Sequence, residues 1–239
     1  MLPLRKQNGP QENRLLAALP RMEYERLLPE LEEIALTFAE VIYEPGDTIR
    51  YVYFPNDSIV SLLASANHHT TLEVGMIGNE GMAGVSVFMG VDKSRTRALV
   101  QGPGAAVRMK SATLRRESKQ VGPLHRLLQR YTHSLLTQMS LSSACNRFHT
   151  LDARLARWLL MTHDRTGADE FRLTQEFMSN MLGVRREGVS KVAGNLQREK
   201  LISYSRGHMT ILNRRALERV CCECYHIIKA ESDSFLTRN

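Results

Sequence analysis

Cysteine is scarce in this chain, with four in 239 residues, and three of the four (Cys221, Cys222, Cys224) fall within four positions. Mutual bridging at that spacing is sterically awkward, so a disulfide framework is excluded and a reducing cytoplasm is the expected setting. No apolar run approaches the roughly 18 residues a membrane-spanning helix needs, so no membrane partner is expected. The opening MLPLRKQNGPQENRLL lacks the long apolar stretch of a secretory signal. Enzyme signatures are also missing. There is no phosphate-binding G-x-x-x-x-G-K-[ST], no H-E-x-x-H and no G-x-S-x-G. Gly78, Gly81 and Gly84 are evenly spaced but lack the strand-to-helix context of a dinucleotide site. Neither collagen-like nor disordered composition applies, because 43% of residues are hydrophobic and 24% charged, as in ordinary globular proteins.

Charge is present in a telling distribution. The net charge is +7, yet residues 1–110 hold 11 basic and 13 acidic residues. Residues 183–215 hold 8 basic and 2 acidic, a net of +6. A local basic block on a balanced protein is either a solvated face or the footprint of a polyanion partner.

The order of patterns predicts an α+β chain. Residues 12–29 read as short helices punctuated by Pro20 and Pro29. From 31 to 110, seven short β-branched segments alternate with turn signals such as PGD (45–47) and GPG (102–104), which predicts an antiparallel, jelly-roll-like β-barrel. Gly84 to Phe88 fits a helical turn or a strand. After Gly122-Pro123, Leu124, Leu128, Tyr131, Leu135 and Gln138 mark a heptad stripe that suits a core helix or a dimer seam. A further helix, about 151–163, carries the lone Trp158, expected in a core. The resulting division is 12–122, 123–149 and 150–239.

The last unit carries the chemistry. Thr174 is a fair N-cap, a helix runs from Gln175 to Leu182, and Gly183 stops it. A second helix runs from about Arg185 to Lys200 with Val189, Val192, Ala193 and Leu196 inward. LISYS and MTILN then flank Arg206-Gly207-His208. Helix, glycine turn, helix and hairpin make a winged helix-turn-helix, whose second helix presents its start to base edges. Here that start holds Arg185, Arg186, Glu187, Ser190 and Lys191. Arginine forks onto guanine, glutamate accepts from cytosine, and serine serves either base or phosphate. Thr174, Gln175 and Arg206 are placed for phosphates.

LTQEFMSNMLGVRREGVSKVAGNLQREKLISYSRGHMTILN resembles the winged helix-turn-helix of the Crp/Fnr superfamily of bacterial transcription regulators. EPGD (44–47) and GNEGMAG (78–84) resemble its cyclic-nucleotide-type sensor. The resemblance implies a homodimer built on the helix after Gly122, double-stranded DNA as partner, contact with RNA polymerase, and a small-molecule effector. Its base-reading pattern falls on Arg186, Glu187 and Lys191. Its effector positions fall on Gly81, Met82, Asp92 and Lys93, with Arg95 close by. Met82 stands where the family holds ribose with Glu, and Asp92-Lys93 where it holds the cyclic phosphate with Arg-Ser. A response to cyclic AMP is therefore not expected, because a buried phosphate needs charge-assisted donors.

No cofactor is implied. Cys221 and Cys224 have C-x-x-C spacing and His226 follows, but a structural zinc site wants two ligand pairs and Cys145 is distant in sequence. A single helix over about 214–230 with cysteines packed as small apolar groups is expected, with no metal. His68, His69, His125, His133, His149 and His163 show no ligand spacing. The reading is a sequence-specific regulator. The alternatives are a ligand-gated small-molecule sensor and, last, an enzyme.

Overall fold

A computed structural model describes residues 13–67 and 70–237; the expectations on residue 12, the opening segment and His68-His69 lie outside the described residues. Two short helices, α1 (Arg14–Ala17) and α2 (Arg21–Leu27), begin it. The buried Asn13 accepts from Leu16 N (3.1 Å) and donates to Pro55 O (2.7 Å) and Gly81 O (3.0 Å). One side chain thereby caps α1 and ties it to the sheets.

The seven expected strands form β1 (Glu32–Leu36), β2 (Val41–Tyr43), β3 (Tyr51–Pro55), β4 (Ile59–Asn67), β5 (Thr70–Ile77), β6 (Arg97–Gly102) and β7 (Gly104–Lys110). They pair antiparallel in two ladders, β1-β7-β3 and β2-β6-β4-β5. Val52 and Phe54 of one ladder and Val60, Leu62 and Val100 of the other enter one core. The roll is jelly-roll-like and consists of two facing ladders rather than one closed ring. Gly84, at φ +93°, turns the chain into a 3-10 helix at Val85–Val87, which decides between the two readings of that stretch. Helix α3 (Ser111–Ser118) is unforeseen. It carries a single leucine, Leu114, on an otherwise polar sequence, too little for a periodic signal.

Pro123 opens the 26-residue helix α4 (Pro123–Phe148), where its missing N–H costs nothing. Its stripe corrects the expectation of a dimer seam. Leu124, Leu128, Tyr131, Leu135 and Gln138 are all buried within the chain. The four apolar members join the core of the roll. Gln138 Oε1 accepts from Met76 N (2.6 Å) and its Nε2 donates to Met76 O (3.2 Å), so it clamps the edge strand β5.

Helix α5 (Leu151–Thr166) follows, capped by Thr150 and closed at Gly167. Then come β8 (Glu170–Arg172), α6 (Gln175–Leu182), α7 (Arg186–Arg198), β9 (Ile202–Ser205), β10 (His208–Ile211), α8 (Arg214–Val220) and α9 (Cys224–Thr237). The sheet order is β8-β10-β9, so the wing has a third strand. The expected single C-terminal helix is two, broken at Cys221–Glu223. α9 lies along α4, with Phe235 against Tyr131 at 5.8 Å between ring centroids. No helix among the described residues is long and apolar enough to cross a membrane.

Trp158 is 1% exposed and sits in a second core with Leu155, Met178, Val189, Leu196 and Ile202. Ile59, Leu63 and Met76 reach that core from β4 and β5.

Candidate nucleic-acid interface

The two helices α6 and α7 are set by local chemistry. Thr174 Oγ1 accepts from Phe177 N (3.0 Å), and Gly183 closes α6 at φ +61°, a left-handed position that suits glycine. Buried Arg154 of α5 donates to the last carbonyl of α6, Leu182 O, and so offsets the negative end of that helix. Val189, Val192, Ala193 and Leu196 bury one face of α7; each full-sized aliphatic among them contributes roughly 1.5–3 kcal/mol of burial.

The other face is polar and open. Arg185, Arg186, Glu187, Ser190 and Lys191 are exposed. Arg185 is the extended residue preceding α7, and Arg186 is its first helical residue. Arg186 Nε donates to Gln175 Oε1 (3.3 Å) and Gln175 Nε2 donates to Ser190 Oγ (3.3 Å). Gln175, Arg186 and Ser190 thus form one hydrogen-bonded strip across the two helices. Glu187 and Lys191 lie beside it at i, i+4 spacing.

Thr174 and Arg206 stand apart from that strip. They line a cleft of about 620 Å³ between the wing and the roll, with Phe38, Asp57 and Pro103 opposite. Arg206 (φ +49°) and Gly207 (φ +81°) form the tight wing tip between β9 and β10. Arg214, in the basic block, is committed internally. It donates to Asp164 Oδ1 (2.7 Å) and Glu218 Oε1 (3.0 Å).

The five effector positions are not gathered at one place. A cavity of about 280 Å³ between the roll and α4 is lined by Met82, Lys93 and Arg95, together with Tyr43, Leu135 and Met139. Gly81 and Asp92 are outside this lining. Gly81 is covered by Tyr131, whose ring occupies the space a Cβ would need, and whose hydroxyl donates to Met82 O (2.8 Å). Asp92 pairs with Arg115 at 3.2 Å. The reason is local: the chain between Gly84 and Ser94 packs Asp92 toward α3, not inward.

Beneath the interface, Glu73 of β5 is buried between the roll and α5. Trp158 Nε1 donates to its Oε1 (3.1 Å), and its Oε2 lies 2.7 Å from Ser61 Oγ. Burial pushes this carboxyl up to about 7, and its hydrogen bonding with Ser61 and Trp158 acts against that shift. Ser61 Oγ is also 2.7 Å from Gln101 Oε1. One hydroxyl proton cannot serve two acceptors, so a protonated Glu73 donating to Ser61 satisfies the set.

The cysteines are also placed differently from the single helical stripe expected of them. Cys145 and His149, at the end of α4, meet Cys222 and Cys224, and their donor atoms all lie within 4.8 Å of one another. Neither Cys221 nor His226, both weighed from sequence, belongs to the group. The i, i+4 spacing of Cys145 and His149 is the available signal, but its partner pair lies 77 residues on.

Residues 153–220 match the Crp-like helix-turn-helix domain family. Comparison with curated protein sequences gives no match. Among solved structures, the chain is similar to a protein of Eubacterium rectale ATCC 33656 assigned to the crp/fnr family of transcriptional regulators (TM-score 0.68, 17% identity, 86% of this chain and 96% of that one). It is also similar to CLP of Xanthomonas campestris, a c-di-GMP responsive global regulator (0.66, 15%, 80% and 99%). A third is a CRP-family transcriptional regulator of Thermus thermophilus (0.64, 20%, 78% and 95%). Residues 153–220 therefore form a Crp-like helix-turn-helix domain, carried on a chain with the fold of Crp/Fnr transcription regulators.

Proposed function

We propose that the protein is a sequence-specific DNA-binding transcription regulator that acts as a homodimer on a two-fold symmetric site. The observation that carries this is the open strip on α7, where Arg186 and Ser190 are oriented through Gln175 over a wholly apolar buried face. Arg185, Arg186, Glu187, Ser190 and Lys191 would face the major groove, with Arg186 and Glu187 on base edges. Lys191 supplies a point charge rather than a fork, which suits phosphate. Thr174, Gln175 and Arg206 flank the groove as backbone contacts.

In a dimer, two such helices would read half-sites about 34 Å apart. Since the apolar stripe of α4 is used within the chain, pairing falls to its uncovered side, where Leu136 is 55% exposed beside Ser140 and Ser143. Selection from a random duplex pool, with competitor DNA present, tests the reading. Enrichment of a palindrome with half-sites one helical turn apart supports it. Failure to bind any DNA at low salt, where phosphate contacts are strongest, sinks it.

A second reading adds an effector. The 280 Å³ cavity is walled by apolar groups, with Lys93 and Arg95 among its lining residues, and suits a small acidic amphipathic ligand better than a cyclic nucleotide. Met82, fully buried, offers no partner for ribose hydroxyls. Titration with cyclic AMP should leave DNA affinity unchanged; a cyclic-AMP-dependent gain would overturn this part.

A further inference from the structure

We infer that Cys145, His149, Cys222 and Cys224 form a closed tetrahedral zinc site that fastens the C-terminal helix to the end of α4. Three thiolates and one imidazole are an ordinary structural zinc set, held as two separated pairs. The distances agree with that geometry. Cys145 Sγ and Cys222 Sγ are 3.5 Å apart, and Cys224 Sγ is 3.7 Å from His149 Nδ1. With Zn–S of about 2.3 Å and Zn–N of about 2.0 Å, tetrahedral edges come to roughly 3.8 Å between two sulfurs and 3.5 Å between sulfur and nitrogen. The sulfur pair is far beyond disulfide bonding distance.

Three further observations favour a metal over simple thiol packing. Cys145, Cys222 and Cys224 form their own small cluster, outside both main cores, and the hydrophobic side chains packed on it among the described residues are Leu141 and Ala153. His149 Nε2 lies 3.3 Å from Glu223 Oε1; a carboxylate there accepts a hydrogen bond from Nε2–H, holds the proton on that nitrogen and leaves the Nδ1 lone pair facing the thiols. Lastly, Arg157 is buried beside Cys145, with its Nε unpartnered among the described residues. Zinc with three thiolates and a neutral imidazole carries one net negative charge, which would sit beside this buried guanidinium.

The placement gives the site a task. Cys145 and His149 immediately precede the Crp-like domain, and Cys222 and Cys224 immediately follow it. A metal joining them closes the domain into a loop at its junction with α4. That removes chain entropy from the unfolded state and adds the metal's own binding energy to folding.

The test uses the full, untagged chain purified under reducing conditions without chelator. Metal analysis should find about one zinc per chain, retained on dialysis. Removing it should lower the melting temperature, and adding it back should restore the value. Cys221→Ser should keep the full zinc content, whereas Cys224→Ser should lose most of it. Glu223→Gln should keep the stoichiometry and weaken zinc affinity about 10–100-fold. Should Cys224→Ser fail to fold, cobalt added to the metal-free wild type must give the intense visible bands of a four-coordinate thiolate site. Weak six-coordinate bands, zinc below about a tenth of an equivalent after loading, or a Cys145–Cys222 disulfide in the protein as expressed would each overturn the assignment.

Discussion

Arg186 Nε donates to Gln175 Oε1 in the free chain, so if Arg186 meets DNA as proposed, its guanidinium loses less ordering entropy there than an unpartnered surface arginine would. Arg186→Ala should weaken binding to the selected site by roughly 1–3 kcal/mol and relax preference at one base pair. Fluorescence anisotropy on matched and single-substituted duplexes measures this; an equal loss on every duplex would make Arg186 a phosphate contact instead. Glu73 is the other residue with a sharp consequence. Its folded pKa is raised from 4.5 to about 7, so the folded state binds the proton more tightly than the unfolded chain. The stability it supplies is full below pH 4.5 and is lost as pH rises through about 7, an amount on the order of 3 kcal/mol. Glu73→Gln removes the titration. The stability difference between variant and parent should shift toward the variant across that window, and a pH-independent difference in urea melts from pH 4 to 8 would refute the assignment.

At the scale of elements, much of the layout is legible in the sequence because its signals are local. Turn residues delimit β1 to β7, and Thr174 and Gly183 delimit α6. What is hidden depends on contacts distant in sequence. β8 is three residues long and exists because His208, Met209 and Thr210 pair with it. The break at Cys221–Glu223 follows from docking Cys222 and Cys224 on α4, some 77 residues earlier. The α4 heptad stripe reads as apolar from spacing alone, but periodicity does not say what covers a stripe, and here the chain's own roll does. Gln138 makes the difference measurable. Gln138→Leu should strand Met76 N and O, both its partners now, and destabilise the chain by about 1–3 kcal/mol. Were Gln138 in a subunit seam, the leucine would instead tighten the dimer, so concentration-dependent urea melts separate the two cases.

For the molecule as a whole, the roll and the helix-turn-helix unit share structure beyond a linker. Glu80 of the roll pairs with Arg165 of α5 at 2.7 Å, with both side chains nearly buried. Phe38 meets Phe177 of α6 at 5.2 Å between ring centroids, and the Leu72 side chain comes within 2.8 Å of a Cβ built on Gly183, at the turn that precedes α7. These contacts leave the polar face of α7 open while binding the elements behind it to the sheets. A shift of the roll would therefore be felt at the turn that aims α7, by way of packed side chains rather than the α4–α5 junction alone. The same sharing fixes how the chain unfolds. Ile59, Leu63 and Met76 belong by sequence to the roll and by packing to the second core. The single tryptophan, Trp158, sits in that core and reports on it. Urea unfolding followed by Trp158 fluorescence and by far-ultraviolet circular dichroism should give one coincident midpoint. Leu63→Ala, a change on β4, should move both signals together, with a loss of about 2–5 kcal/mol. Two midpoints, or a Leu63→Ala shift seen in dichroism alone, would mean that the two units unfold independently and that displacement of the roll does not reach α7 through this core.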